Sequence, residues 1–524
     1  MTRRASFFLF LLGLAVACLA AVFQKSPGYM DADYYLLGGL QLAEGKGFTE
    51  PILWNYLDDP EGLPHPSHGY WMPLTSILAA ISLLLTPFHG FAGGRIIFLL
   101  LTGFIPPITA WLAWGLLPDR DVRPRRNMAT LAGLLAAFPG FYLSFLTVPD
   151  AFGVYMLLGA GFLGLISARD TWKKWLGLGI LAGFMHLARA DGFLWLGVAG
   201  LASLFPAHKG HLSRITDHAT RLLLCVAGYF LIMSPWFLRN LTAFGTPLAP
   251  GGARALWVLN YDELFSFPVA GLTFARWWAS GLGAILQARG EALGQNLQSV
   301  LGVQGAVFLL PLIMVGLWKL RGKRAVQLGV LAWGVTLAVM TLVFPFSGAR
   351  GGFFHSGAAL QPLLWAVVPV GLETFVAWGG RARGWRVTQA QRVFGAGLVG
   401  LAILFTVFIF GTRVLQKEES VGYAEVEQKL VELGAQPGEV VMVNNPPGYF
   451  LASGRPAVVI PNGTLGTWLS VVEKYEVDFV VVDENVPVEI RQLLEKQAQI
   501  RPANFLSIVQ VGNFQIYRVM MGGK

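Results

Sequence analysis

Two carboxylates, Asp31 and Asp33, follow the first long apolar run of the chain in the stretch "GYMDADYYLLGGLQLAEGKGF" (Gly28 to Phe48). A carboxylate held partly out of water beside a cleft is a competent general base. A carboxylate at the start of a helix is also favoured by the helix dipole and by free backbone N–H groups, so a simple cap is the alternative. Two residues at i and i+2 cannot both be that cap, which leaves one of them available for chemistry. Tyr34 and Tyr35 beside them are candidates for lining a substrate.

Further along lies "WNYLDDPEGLPHPSHGYWMPL". Its His65 and His68, near Asp58 and Asp59, form a mixture that can bind a divalent metal. Pro64 and Pro66 leave no helix to put both imidazoles on one face, so a polar, aromatic loop lining a substrate is the better reading. Trp54, Tyr56, Tyr70 and Trp71 suit stacking on a sugar ring or anchoring at lipid headgroups. Asp150, in "TVPDAF", sits at a helix end, where snorkelling to the headgroups is the alternative to function. Arg189 and Asp191 read as a local ion pair in a hairpin turn. Arg239, Arg254, Arg276 and Arg350 are cations in or near apolar sequence, and His355 lies close to the last of them. Phosphate ligands suit such guanidinium groups, and anionic lipid headgroups are the competing partner.

The elements that position these groups are mostly membrane helices. Of 524 residues, 54% are hydrophobic and 13% charged, and the mean hydropathy is +0.56, outside the balance of a soluble domain. Several apolar runs reach the ~20 residues a spanning helix needs. The alternating ~10-residue strands of a membrane barrel are not seen. The net charge of +9 resides in short loops rather than on one soluble face, which argues orientation and not nucleic acid. Cys18 and Cys225 lie within apolar runs and offer neither a disulfide framework nor a metal site. The N-terminus resembles a signal peptide but lacks a clear cleavage site and reads as a retained first helix.

The basic loops "LPDRDVRPRRN", "ARDTWKKW", "AHKGHLSRITDHATR", "WKLRGKR" and "GGRARGWRVTQAQR" can all be cytoplasmic, together with the N-terminus. That requires "PLTSILAAISLLLTPF" (Pro73 to Phe88) not to span but to lie at the interface, or against the bundle, within one external loop of about residues 24–95. About 11 spanning helices follow, over residues 1–415. The candidate acids and arginines then collect on the external face. Residues 416–524 read as a small soluble α/β domain: "EVEQKLVELGA" and "PVEIRQLLEKQ" as helices, "EVVMVNN" and "DFVVVDE" as strands. It carries neither a GxGxxG after a strand nor a P-loop, and capping or acceptor docking suits it. No internal repeat is evident.

This order of features resembles the GT-C fold membrane glycosyltransferases, the class that includes protein O-mannosyltransferases and bacterial aminoarabinose and arabinose transferases. The resemblance rests on one helix followed by a large loop opening with "MDADYYLLGGLQLAEGKGF". It continues through "HPSHGYWMPLTSILAA", "TVPDAF", "LARADGFL", "SPWFLRNLTAFGTPL" and "FSGARGGFFHSGAALQPLLW", over about residues 5–415. It implies a helix-bundle enzyme in the plasma membrane that moves a hexose or pentose from a polyprenyl-phosphate donor to an external lipid, polysaccharide or protein acceptor, with inversion. Asp31 then matches the general base, with Asp33 next in line, and Asp150 the second acidic position. Arg350 matches the basic residue of a late Arg-Tyr element, although Gly351 stands where Tyr is usual. Relatives differ over a divalent metal, so no cofactor follows. A transporter or flippase, and a non-catalytic membrane protein of this fold, are the rival readings.

Overall fold

A computed structural model describes residues 1–117, 121–204, 215–415, 422–483 and 505–520. Among them, six helices are long and apolar enough to cross a membrane: Arg3–Phe23, Gly90–Leu116, His218–Phe244, Arg324–Val343, Gly352–Arg383 and Val387–Val414. The pair Val122–Ala137 and Gly140–Leu146, bent by 46°, counts as a seventh if it forms one span. The remaining expected spans are shorter helices: Ala151–Ile166, Trp172–Ala188, Ala190–Leu204 and Leu310–Lys319. The chain is an integral membrane protein. Leu74–Leu85, expected to lie at the interface or on the bundle, is a 12-residue helix that packs against Met30–Ala43.

That second helix, Met30–Ala43, carries both aspartates in its first turn. It starts without a side-chain cap, so the charges of Asp31 and Asp33 are what complement its positive end. It ends at Glu44 and turns through Gly45, φ +76°, a left-handed position that glycine enters without strain. Its close approach to Leu74–Leu85 depends on the absence of side chains. A Cβ on Gly39 would stand 2.6 Å from the Cβ of Ala79, and one on Gly38 would stand 2.6 Å from Ser76 Oγ. Gly39→Val is therefore expected to force the two helices apart and cost about 1–3 kcal/mol, read as a lowered midpoint of thermal unfolding in detergent micelles. An unchanged midpoint would refute this packing.

Beyond the bundle stands a six-stranded sheet. Among the described residues the strands are β1 (Thr49–Glu50), β2 (Ile52–Leu53), β3 (His65–Pro66), β4 (Val440–Val443), β5 (Ala457–Val459), β6 (Val477–Val482), β7 (Phe505–Val511) and β8 (Phe514–Val519). The sheet order is β2-β5-β4-β6-β8-β7, while β1 and β3 pair separately. The first four strands run parallel, and β8 and β7 add on as an antiparallel hairpin. The β-branched runs expected at "EVVMVNN" and "DFVVVDE" are the adjacent central strands β4 and β6, and "EVEQKLVELGA" forms the helix Tyr423–Glu432. The helix expected at "PVEIRQLLEKQ" lies outside the described residues. The helices Pro446–Ser453 and Leu465–Tyr475 and the final hairpin were not anticipated. Nor was the edge strand: β2 belongs to the first loop, just over four hundred residues before its partner β5.

Candidate functional site

Asp31 opens into a cavity of about 590 Å³, within the ~300–1,000 Å³ range of small-molecule sites. Its walls come from five parts of the chain, one of them Phe145 of the short helix Leu143–Leu146. The first loop gives Tyr29, Asp31, Tyr35, Trp54, Tyr70 and Trp71. The turn after Trp172–Ala188 gives Arg189 and Asp191, the segment around Tyr261 contributes its ring, and the stretch from Phe344 to His355 adds Arg350 and His355.

The two aspartates part company because residues two apart on a helix point about 200° apart. Asp31 faces the cavity, whereas Asp33 is only 7% exposed and its Oδ2 accepts a bond of 2.8 Å from Asn445 Nδ2. Burial pushes the Asp31 carboxyl up to about 6, against the pull of the Arg189 guanidinium and a backbone hydrogen bond. It is thus a stronger base than a solvated carboxylate. Asp150 lies behind the wall. It caps Ala151–Ile166 through the Ala151 N–H and accepts the Tyr29 hydroxyl. Burial first, and the charge of Asp31 second, raise its carboxyl above the usual range.

Arg189 and Asp191 form the expected ion pair, at 2.9 Å, yet both also line the cavity. Arg189 Nη2 donates to Ser356 Oγ at 3.3 Å, and Tyr155 donates its hydroxyl proton to Asp191 at 3.3 Å. Arg350 is placed differently. Among the described residues no carboxylate pairs with it, and its guanidinium lies 4.8 Å from the centre of the Tyr261 ring. The next residue, Gly351, has φ +92°, a conformation that a tyrosine would hold only with strain. The aromatic neighbour of this arginine is therefore supplied from elsewhere in the chain.

The other candidates do not reach the cavity. Arg239 donates to the carbonyls of Phe48 (3.0 Å) and Ser67 (2.8 Å), Arg254 donates to the Leu57 carbonyl, and Arg276 pairs with Glu263 at 2.8 Å. His68 is buried, hydrogen-bonded to Ser67 Oγ (2.7 Å) and Ser76 Oγ (3.0 Å). Burial, and then Arg239, push its imidazole down to about 3. Tyr34 accepts from the His68 backbone N–H at 2.7 Å. His65 contacts the Ile52 carbonyl at 2.9 Å and Glu50 at 3.3 Å. Arg239, Arg254, His68, Tyr34 and His65 thus hold the first loop together from inside. No group of three or more His, Cys, Asp or Glu is arranged to hold a metal ion among the described residues.

The aromatic wall was only partly foreseen. Trp54 and Trp71 stack with ring centres 3.8 Å apart and planes 8° apart, and Tyr70 meets Trp54 edge-on at 5.2 Å. Tyr29 and Tyr261 had no signal beyond their position in loops expected to be external. Arg189 had one: a cation at the end of an apolar helix that the charge count is expected to place outside, opposed to the positive-inside trend.

Comparison with solved structures settles the architecture. ArnT from Cupriavidus metallidurans, bound to undecaprenyl phosphate, superposes with a TM-score of 0.58 at 11% identity, covering 98% of this chain and 98% of that one. The oligosaccharyltransferase of Archaeoglobus fulgidus, in complex with Zn and sulfate, gives 0.55 at 14% identity over 97% of this chain and 73% of that one. The mycobacterial arabinofuranosyltransferase AftD gives 0.50 at 13% identity, and this chain spans 42% of its length. The fold is that of the GT-C glycosyltransferases. No protein-family model matches the sequence, and no match is found among curated proteins. The GT-C likeness thus rests on three-dimensional shape and extends over almost the whole chain, tail included.

Proposed function

We propose that this chain is an inverting membrane glycosyltransferase, taking one sugar from a polyprenyl-phosphate donor to a hydroxyl of an acceptor outside the membrane. The observation that carries the reading is the presence of Asp31 and Arg350 in one cavity: a half-buried, strengthened base and a guanidinium with no carboxylate partner among the described residues. The GT-C neighbours include proteins bound to undecaprenyl phosphate and to a dolichol-phosphate, which supports a lipid phosphate as the donor's carrier.

In this mechanism the acceptor O–H gives its proton to Asp31 as its oxygen forms the new bond to the anomeric carbon. The bond from that carbon to the lipid phosphate oxygen breaks on the opposite face, and its electron pair leaves with the phosphate. Arg350 neutralises the growing phosphate charge. Trp54, Trp71 and Tyr70 give the sugar flat apolar surfaces. Asp150 acts at one remove by holding Tyr29. Residues 1–415 would form the membrane transferase domain and 416–524 the soluble domain. The N-terminus would face the cytoplasm, with the cavity and the tail on the other side.

The test is incubation of purified protein with a panel of hexosyl and pentosyl polyprenyl phosphates and with lipid, polysaccharide and protein acceptors, following release of polyprenyl phosphate. Consumption of one donor, with sugar recovered on an acceptor in inverted configuration, is the expected result. Movement of a lipid between leaflets of a proteoliposome without donor consumption would put a flippase in its place.

A further inference from the structure

The helix that carries Asp31 is fastened on its other side to the C-terminal domain. Asp33 is the point of attachment. Its Oδ2 accepts from Asn445 Nδ2 at 2.8 Å, while Asn445 Oδ1 accepts from the Gly448 N–H at 3.1 Å and so caps the helix Pro446–Ser453. The Asp33 charge therefore stands at the positive end of a second helix. The fit leaves no spare room: a Cβ on Gly448 would stand 2.8 Å from Asp33 Oδ2 and 2.4 Å from Asn445 Nδ2.

The surroundings bind in the same sense. Tyr34, Tyr35 and Leu37 of the aspartate helix, with Ile52 and Trp54, share one hydrophobic core with Val441, Val443, Tyr449 and Phe479 of the tail. Strand β2 hydrogen-bonds to β5, the Tyr56 hydroxyl donates to the Val459 carbonyl at 2.5 Å, and Lys474 pairs with Asp59 at 2.7 Å. Tyr35 and Trp54 belong both to this core and to the cavity wall. The tail is thus the back of the site.

We propose that Asp33 is a positioning residue: its bond to Asn445 locks the first turn of Met30–Ala43 to the C-terminal domain, and this lock holds Asp31 in its place in the cavity. The role of Asp31 as base rests on the transferase reading above; the lock itself does not.

The decisive variant is Asn445→Asp. Aspartate caps a helix as well as asparagine, so the local helix is kept, but two carboxylates then face each other. In the double variant Asp33→Asn with Asn445→Asp, donor and acceptor change places and the bond is restored. Two measurements read the result: hydrogen exchange of the amides of residues 30–36 in detergent, which needs no substrate, and steady-state transfer kinetics. Because a charge-assisted buried bond is replaced by two opposed carboxylates, Asn445→Asp should speed exchange there about tenfold or more. It should lower kcat by a similar factor while the donor KM stays within about twofold, and the double variant should recover most of both. Asp33→Asn alone keeps an acceptor oxygen for Asn445, and its kcat should fall by only about threefold.

Wild-type exchange in Asn445→Asp, or no recovery in the double variant, would overturn the lock. A fall in kcat by a hundredfold or more in Asp33→Asn, of the size expected for loss of a catalytic base, would instead make Asp33 catalytic. Should Asn445→Asp fail to fold, a folded double variant supports the lock and an unfolded one counts against it. If no donor is consumed by the wild type, the transferase reading falls while the exchange measurement still decides the lock.

Discussion

Replacing Asp31 by Asn is expected to lower kcat by about 10²–10⁴-fold, the range for loss of a positioned general base, with little change in donor KM. Asparagine has nearly the shape of aspartate, so the cavity and its other walls stay as they are, and the loss is confined to the proton transfer. The expected pH profile identifies the same group. Burial has raised the Asp31 carboxyl to about 6, and the base works only when ionised. Activity of the wild type should therefore be full above that value and fall as the pH drops through it. The residual activity of Asp31→Asn should lack that acidic limb. Full activity in Asp31→Asn, or a limb that persists in it, would show that another group takes the proton.

Replacing Arg350 by Ala should cost about 10–10²-fold in kcat, below the ~10²–10³-fold for losing a charge stabiliser in a dry site, because Arg350 is exposed to solvent that screens its charge. A guanidinium resting on the Tyr261 ring, with no carboxylate to satisfy it among the described residues, is free for an incoming anion. Because the phosphate gains negative charge as the sugar departs, the loss should fall on kcat more than on KM. Arg350→Lys keeps the charge but not the bidentate fork, and should recover part of the activity. Inorganic phosphate and polyprenyl phosphate should inhibit the wild type and lose potency against Arg350→Ala. Arg350→Ala with wild-type kinetics would move the phosphate to another cation, and Arg189 is the one that also lines the cavity.

Much of this protein is legible in its residue order. Apolar runs, and the lysines and arginines that punctuate them, fix membrane helices because no other arrangement satisfies a backbone in hydrocarbon. The short β-branched runs after Lys417 predict central strands of the tail for a similar local reason. The carboxylate pair, the aromatic loop and Arg350 stood out by being costly residues in apolar surroundings. Local reasoning went astray where a polar group had a neighbour to satisfy it that the sequence could not show. Arg239 and Arg254 look like free cations in the sequence and are spent on backbone carbonyls of the first loop. Arg189 looks spent on Asp191 and still lines the cavity.

By itself, then, the sequence determined the solvent: which segments can enter a bilayer and which cannot, since burial of apolar surface is set by composition over one helix length. It also determined that Asp31 and Asp33, two residues apart at the start of a helical pattern, cannot both serve as the same cap. Only the tertiary structure decided which side holds the cavity and which the tail. That choice depends on β2 joining a sheet whose other strands begin near residue 440, and on Gly448 leaving room for a carboxylate beside Asn445. Contacts between such distant parts of a chain leave no periodicity in the sequence, so the difference between a base and a lock was visible only once the chain had folded.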